Sequence, residues 1–160
     1  MTVFEKRFGF CLGLMMATLS HVNVARAADS VQIEADSMEV IDTEHKTIFK
    51  GNVIAKRPTD QITSTTMVVT SEDQKQADGT MQSVTTFIDA TGDVVITTDS
   101  QTITGEAAKF DIPADRLEVT GNVRVVQGKT TVNSKKVVIN LKTKHLQASG
   151  GRVRVGFVPK

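Results

Sequence analysis

The sequence has no tryptophan and no tyrosine, and phenylalanine supplies all of its 4% aromatic residues. Sites that hold sugars or nucleobases commonly stack them on aromatic rings, so this sequence provides poorly for such a site. The single cysteine, Cys11, lies in an apolar segment near the N-terminus. No disulfide can therefore join two parts of the chain, and stability has to come from backbone pairing and apolar packing.

Acidic residues are absent after Glu118. Residues 28–120 contain 17 Asp and Glu against 7 Lys and Arg, whereas residues 121–160 contain 9 Lys and Arg and no acid. This division predicts a molecule with an acidic front and a basic rear, unless the basic part is simply a solvated face. The basic part has no interleaved aromatic residues, which argues against a nucleic-acid partner.

The sequence also lacks an apolar run long enough to span a bilayer. Lys6 and Arg7 precede an apolar segment of about a dozen residues, shorter than the ~20 that a membrane-spanning helix needs. Ala25-Arg26-Ala27 follows, with the small-x-small pattern that signal peptidase cleaves. The sequence therefore predicts a cleaved signal peptide over residues 1–27, rather than an uncleaved anchor, and one exported domain over residues 28–160.

The exported part contains an internal repeat. Four segments share an Ile or Val, a small residue two positions on and a large apolar residue seven positions on, and they start at Ile33, Ile62, Ile103 and Val132. The starts are 29, 41 and 29 residues apart, and we assign the longer interval to a polar loop inserted over residues 71–82. A unit of about 30 residues cannot bury its own apolar face, so the units are expected to stack.

A glycine motif, Gly-Asn-Val or Gly-Asp-Val, interleaves with this repeat at residues 51–53, 92–94 and 121–123. Apolar and polar residues alternate around each glycine, which is the period of a strand with one buried face. A glycine at the same place in every unit indicates a bend. Together these patterns predict an all-β fold, an antiparallel twisted β-jellyroll built as an open-ended roll of ~30-residue units.

Candidate catalytic groups do not converge in the sequence. His45 and His145 each stand six residues before a glycine, where another unit has Asp115, so we interpret both as turn residues. The pattern places no third metal ligand near them. Glu72 and Asp73 lie in the inserted loop, and there is no nucleotide-binding motif. The sequence thus predicts no enzyme activity, no metal site and no cofactor.

Three features together resemble the OstA family: Ile33-Glu34-Ala35-Asp36-Ser37, the related strings at residues 49–53 and 119–123, and the ending at residues 151–159. The likeness covers residues 31–159. It implies a periplasmic protein with a β-jellyroll fold and a hydrophobic interior groove. The groove would carry lipopolysaccharide by binding the acyl chains of its lipid A part. The likeness also implies three partners, namely LptC at the inner membrane, LptD at the outer membrane and further copies of the chain stacked end to end.

The residues expected to bind lipid are the inward-pointing positions of the repeat. They are Ile33, Val40, Phe49, Val53, Ile62, Met67, Val69, Ile88, Val94, Ile96, Ile103, Phe110, Leu117, Val119, Val123, Val125, Val132, Val137 and Ile139. A column of small residues runs beside them at Ala35, Ser64, Gly105 and Ser134. It either lets two sheets approach closely or leaves a slot for acyl chains.

The charge division indicates how copies would meet. Both terminal strands are expected to expose unpaired backbone groups that can accept another strand. Opposite charges would then favour head-to-tail contact, from Glu34, Asp36 and Glu39 at the front and Arg152 and Arg154 at the rear.

Two other functions stay open. A structural or adhesive β-solenoid of the cell envelope would carry no lipid and would have a fully packed interior. A polysaccharide-active enzyme would have clustered carboxylates in a surface cleft.

Overall fold

The structure, a computed structural model, describes residues 31–159. The predicted signal peptide over residues 1–27 lies outside the described residues. The ten strands are β1 Gln32–Glu34, β2 Ser37–Ile41, β3 Lys46–Arg57, β4 Asp60–Lys75, β5 Met81–Thr98, β6 Thr102–Asp111, β7 Arg116–Gln127, β8 Thr130–Asn140, β9 His145–Ser149 and β10 Arg154–Gly156. A single 3-10 turn, Asp42–Glu44, joins β2 to β3. No helix within residues 31–159 is long and apolar enough to cross a membrane.

All ten strands belong to one antiparallel sheet, in which the consecutive strands β3 to β8 are neighbours in space. The pairs β3–β4, β4–β5, β5–β6, β6–β7 and β7–β8 follow one another without a crossover. At one end β1 and β2 pair one after the other with the same edge of β3. At the other end β9 and β10 pair with β8 in the same way. The sheet does not close on itself, so both ends present an edge.

Strands β3, β5 and β7 each bend at their glycine motif. The register of the ladder shifts between Lys50 and Val53, between Thr91 and Val94, and between Thr120 and Val123. At the last of these Gly121 has φ +80° and Asn122 has φ +48°, two left-handed residues in succession. Glycine adopts that region freely, and Asn and Asp tolerate it better than other residues, which explains the Gly-Asn and Gly-Asp strings. The predicted bend is confirmed as a β-bulge.

The bends fold the sheet so that its two halves cover each other. Val53, Met67, Val119 and Val137 have 0% of their surface exposed, although each lies in a sheet with only one chain layer. Full burial therefore requires the opposite half of the sheet to lie over them. The core consists of these residues with ten further buried apolar side chains from β3 to β8. The predicted all-β antiparallel jellyroll is confirmed.

Two details of the sequence prediction are wrong. The segment 71–82 is not a loop, because β4 continues to Lys75 and β5 begins at Met81, so that Glu72 pairs with Val84 in an extended hairpin. His145 is the first residue of β9 and not a turn residue. The left-handed turn residue there is Lys144, because the equivalent of Gly121 is Gly150 and not Gly151.

Candidate functional site

The inner face of the folded sheet is apolar and is organised in columns that run across the strands. Two corner columns flank the bends. One passes through Phe49, Met67, Ala90, Ala108, Val119, Val137 and Ala148, and the other pairs Val53 with Ser64, Val94 with Gly105 and Val123 with Ser134. Three of the four small residues expected as a column, Ser64, Gly105 and Ser134, are thus found beside the bend.

Two mouth columns lie farther from the bends, at the open side of the groove. The first contains Val40, Thr47, Val69, Ile88, Phe110, Leu117, Ile139 and Leu146. The second contains Ile33, Ala55, Ile62, Ile96, Ile103, Val125, Val132 and Val155. Pairing across seven ladders keeps each column continuous along the whole sheet.

Both the corner columns and the mouth columns contain buried and partly buried side chains. The buried members of the expected binding set are Val53, Met67, Val94, Ile96, Ile103, Leu117, Val119, Val123, Val125, Val137 and Ile139. Those only partly buried are Ile33, Phe49, Ile62, Val69, Ile88, Phe110 and Val132. All but one of the expected residues therefore belong to, or pack against, one core.

Val40 is the exception, with 55% of its surface exposed. It lies on β2, the terminal strand, so no further strand covers it. Met38 next to it, and Val155 on β10 at the other end, are also exposed. The apolar columns thus run out to both open ends of the sheet, where they end in uncovered side chains.

A polar clasp that the sequence did not reveal lies at the mouth. The guanidinium of Arg57, at the end of β3, donates two hydrogen bonds to the carboxylate of Asp60, at 2.6 and 2.8 Å. The same guanidinium lies 5.7 Å from the ring centroid of Phe110 in the opposite half of the sheet. The two side chains are only 32% and 19% exposed. Arg57 therefore bridges the two halves across the mouth. The opposite charges of Arg57 and Asp60 on either side of Pro58 are a local sign of the ion pair. No local pattern predicts the contact of Arg57 with Phe110.

The mouth has a concave opening toward the C-terminal end of the sheet. This concavity, of about 460 Å³, has Ile139, Leu141 and Leu146 on one side and the turn residues Thr59 and Asp99 among those on the other. Apolar side chains thus face a polar rim across an accessible opening. A long apolar ligand with a polar end would meet both surfaces here.

The charged residues expected at the two edges differ in how they are compensated. Glu34 lies 3.7 Å from Lys56 and Glu39 lies 3.5 Å from Lys50. Asp36 accepts a hydrogen bond of 2.9 Å from the side-chain amide of Asn52. Within residues 31–159 no carboxylate lies within 4.0 Å of Arg152 or Arg154. The acidic edge is therefore largely neutralised by β3, whereas the basic edge is not.

The outer face carries ordinary surface electrostatics. Glu118 accepts hydrogen bonds from Lys136 at 2.6 Å and from Arg116 at 2.9 Å. The bond from Lys136, more than the two positive charges, lowers the pKa of Glu118 below its ordinary value of 4.5. Within residues 31–159 no three His, Cys, Asp or Glu side chains are grouped as metal ligands would be.

Comparisons with known proteins agree with this architecture. The chain matches the family described as LptA/(LptD N-terminal domain) LPS transport protein over residues 32–110 and 102–155. It is 28% identical over 136 residues to an uncharacterized protein of Rhizobium meliloti strain 1021, covering 81% of this chain and 72% of that protein.

A crystal structure with the same fold is that of LptH, the LptA homologous periplasmic component of the lipopolysaccharide transport device from Pseudomonas aeruginosa. It superimposes with a TM-score of 0.67 at 14% identity, over 82% of this chain and 96% of LptH. At this identity the likeness establishes the fold.

Proposed function

Because the chain belongs to the LptA/(LptD N-terminal domain) family of LPS transport proteins, we propose that this LptA-like protein is a periplasmic lipopolysaccharide carrier that holds lipid A acyl chains in its groove. It receives lipopolysaccharide at the inner membrane and passes it toward the outer membrane. It binds its cargo and does not transform it. Residues 1–27 act as the signal peptide that directs the domain of residues 28–160 to the periplasm.

The observation that carries this proposal is the half-buried apolar mouth. Val69, Ile88 and Phe110 form one continuous apolar strip that the fold leaves partly uncovered. In the second mouth column Ile62 and Val132 are partly uncovered on either side of buried residues. Burying a methylene group contributes about 0.8 kcal/mol, so a twelve-carbon acyl chain could contribute roughly 8–10 kcal/mol before ordering costs. Partial coverage reduces this gain, which suits a carrier because the cargo must also be released.

The closed corner columns are the one observation that favours a purely structural β-solenoid. Most of their members are buried, as such a protein requires. The mouth columns also contain buried residues, but their ends at Val40 and Val155 are exposed and would gain nothing from solvent in a protein without a ligand or a neighbour. Lipid binding therefore accounts for the whole inner face, whereas a structural role accounts for its corner.

The open ends support the proposed partners. At one end β1 and β2, and at the other β9 and β10, leave backbone groups without a next strand. A neighbouring copy added head to tail would pair with these groups and cover Met38, Val40 and Val155, continuing the columns into the next molecule. LptC at the inner membrane and LptD at the outer membrane would dock at the two ends of the chain in the same way. Since Glu34 and Glu39 already have partners, strand pairing contributes more to this contact than charge.

A single introduced tryptophan tests the proposal, since the sequence has none of its own. In the variant Phe110→Trp the indole lies at the mouth, and we expect its emission to shift to the blue and saturate with lipopolysaccharide but not with the deacylated saccharide. The matched control is Gln147→Trp, on the exposed face beside Leu146. Equal shifts in both variants, or equal shifts with both ligands, would rule out the groove as the binding site.

A further inference from the structure

Three notches with the same backbone recur on the folded sheet, each between a strand with a bulge and the strand that follows it. The first lies between β3 and β4 around Asn52 and Thr65, and the second between β5 and β6 around Thr104 and Glu106. The third lies between β7 and β8 and has a volume of about 360 Å³. Because the bulges that form them are repeats of one another, the notches differ mainly in their side chains.

The third notch is basic. Lys135, Arg152 and Arg154 line it together with the side-chain amides of Asn122 and Asn133, and none of its lining residues is acidic. The first two notches each contain at least one carboxylate. We call the third the basic notch. It contains a large share of the positive charge that the C-terminal part of the chain carries in excess.

Lys135 occupies a place that a carboxylate holds in two other units and Thr65 holds in the third. Asp36, Glu106 and Lys135 each lie against the corner glycine of the next strand. The stem of Lys135 lies over Gly150 and Gly151, where a Cβ at Gly150 would be only 3.0 Å from the Cβ of Lys135. The two glycines thus leave room for the long side chain of Lys135, which lines the notch.

The charges of the basic notch have no carboxylate partner in the part of the chain that the structure describes. Within residues 31–159 no carboxylate lies within 4.0 Å of Lys135, Arg152 or Arg154. Three cations that line one concavity repel one another, and an anion between them would relieve that repulsion. The carboxylates at the opposite edge of the sheet do not fit this role well, because Glu34 and Glu39 are already ion-paired.

We propose that the basic notch is a binding site for a phosphomonoester group. Guanidinium groups present parallel N–H donors that match the oxygens of phosphate, and a dianion matches several converging cations better than a carboxylate does. Lys135 adds a point charge and the two asparagines add amide donors. Asn122, Asn133 and Arg154, which line the notch, are exposed. The phosphate therefore comes from solution or from a lipid surface and not from acyl cargo held on the inner face.

The test is a titration of the ¹⁵N-labelled domain with inorganic phosphate at low ionic strength, followed by NMR. We expect saturable shifts confined to the amides of β7, β8 and β10 around the notch. Arg152→Gln with Arg154→Gln should weaken binding by about tenfold or more. The control Lys129→Gln with Lys142→Gln removes the same charge from exposed turns and should change affinity by less than about twofold. If the Arg variant fails to fold, Lys135→Gln replaces it.

Vesicles identify the source of the phosphate. Co-sedimentation of the wild type, but not of the Arg variant, with phosphatidylcholine vesicles that contain phosphatidic acid supports the site and assigns a lipid headgroup. Binding of inorganic phosphate without vesicle binding supports the site and assigns free phosphate. Shifts that do not saturate, or equal losses in both double variants, would overturn the proposal. Loss of self-association in the Arg variant without any phosphate binding would overturn it in favour of a protein partner.

Discussion

Gly121, Gly105 and Gly79 provide three substitutions in which backbone strain and steric overlap are separated. Gly121 has φ +80°, and a Cβ there would lie 2.5 Å from the Cβ of Glu106. Gly79 has φ +86° but no atom within 4 Å of such a Cβ. Gly105 has no left-handed φ, yet its Cβ would lie 2.6 Å from Cγ1 of Val119. Alanine at Gly121 thus tests strain and overlap together, alanine at Gly79 tests strain alone, and alanine at Gly105 tests overlap alone.

The expected losses in the free energy of unfolding follow from these distances. Gly79→Ala should cost about 1 kcal/mol, since only the left-handed conformation is penalised and the hairpin tip can relax. Gly105→Ala should cost about 1–3 kcal/mol through overpacking against a fully buried valine. Gly121→Ala should cost about 3 kcal/mol, because strain adds to an overlap with a Cβ that the backbone of β6 fixes. Moving Glu106 aside would also break its 2.6 Å hydrogen bond from Asn122.

Urea unfolding followed by far-UV circular dichroism measures all three, since no tryptophan or tyrosine is present for fluorescence. We expect lower midpoints with unchanged slopes, in the order Gly121, Gly105, Gly79 from largest loss to smallest. A Gly121→Ala protein as stable as Gly79→Ala would refute the account of the corner. A fully stable Gly121→Ala protein that had lost only ligand binding would show that the glycine serves the ligand and not the bend.

Three further predictions concern the mouth, the outer face and the ends. Arg57→Gln should lower the free energy of unfolding in urea by about 1–2 kcal/mol, because it leaves the poorly exposed carboxylate of Asp60 unpaired. The control Lys109→Gln removes a cation from an exposed carboxylate and a phenylalanine ring on the outer face, and it should cost under about 0.5 kcal/mol. Because the pKa of Glu118 is lowered, its ionised carboxylate stabilises the folded state by under about 1 kcal/mol. This stabilisation is present above pH 4.5 and is lost as the pH falls through the folded-state pKa. The difference in melting temperature between wild type and Glu118→Gln should therefore shrink as the pH falls. Oligomers seen by sedimentation velocity should persist at high salt if strand pairing holds them, and their loss would indicate that ion pairs carry the contact.

The repeat made most of the fold predictable from the sequence. Ile33, Ile62, Ile103 and Val132 mark equivalent positions, and the structure aligns them in one mouth column. The Gly-Asn and Gly-Asp strings located the bends because few other residues adopt two left-handed conformations in a row. Local periodicity thus determines both the inner face and the place where the sheet folds.

The features that could not be predicted from the sequence depend on contacts between distant residues or on segments without a clear local pattern. The hairpin extension beyond Ser71 is mostly polar on both faces, so it shows no alternation and resembles a loop. The two consecutive glycines, Gly150 and Gly151, left the register of the last unit ambiguous by one residue. The pairing of Glu34 with Lys56 and the contact of Arg57 with Phe110 depend on strand register and on folding of the sheet, which no local pattern encodes.

Photo-crosslinking in cells tests the central claim, that the mouth columns contact lipid acyl chains, most directly. A photoreactive amino acid at Ile62, Phe110 or Ile139 should capture lipopolysaccharide, whereas the same amino acid at Glu118 or Arg124, on the outer face, should not. The variants should be expressed to equal levels, so that capture reports proximity alone. Capture from the inner positions only is the result that the account predicts, and equal capture from both faces would contradict it.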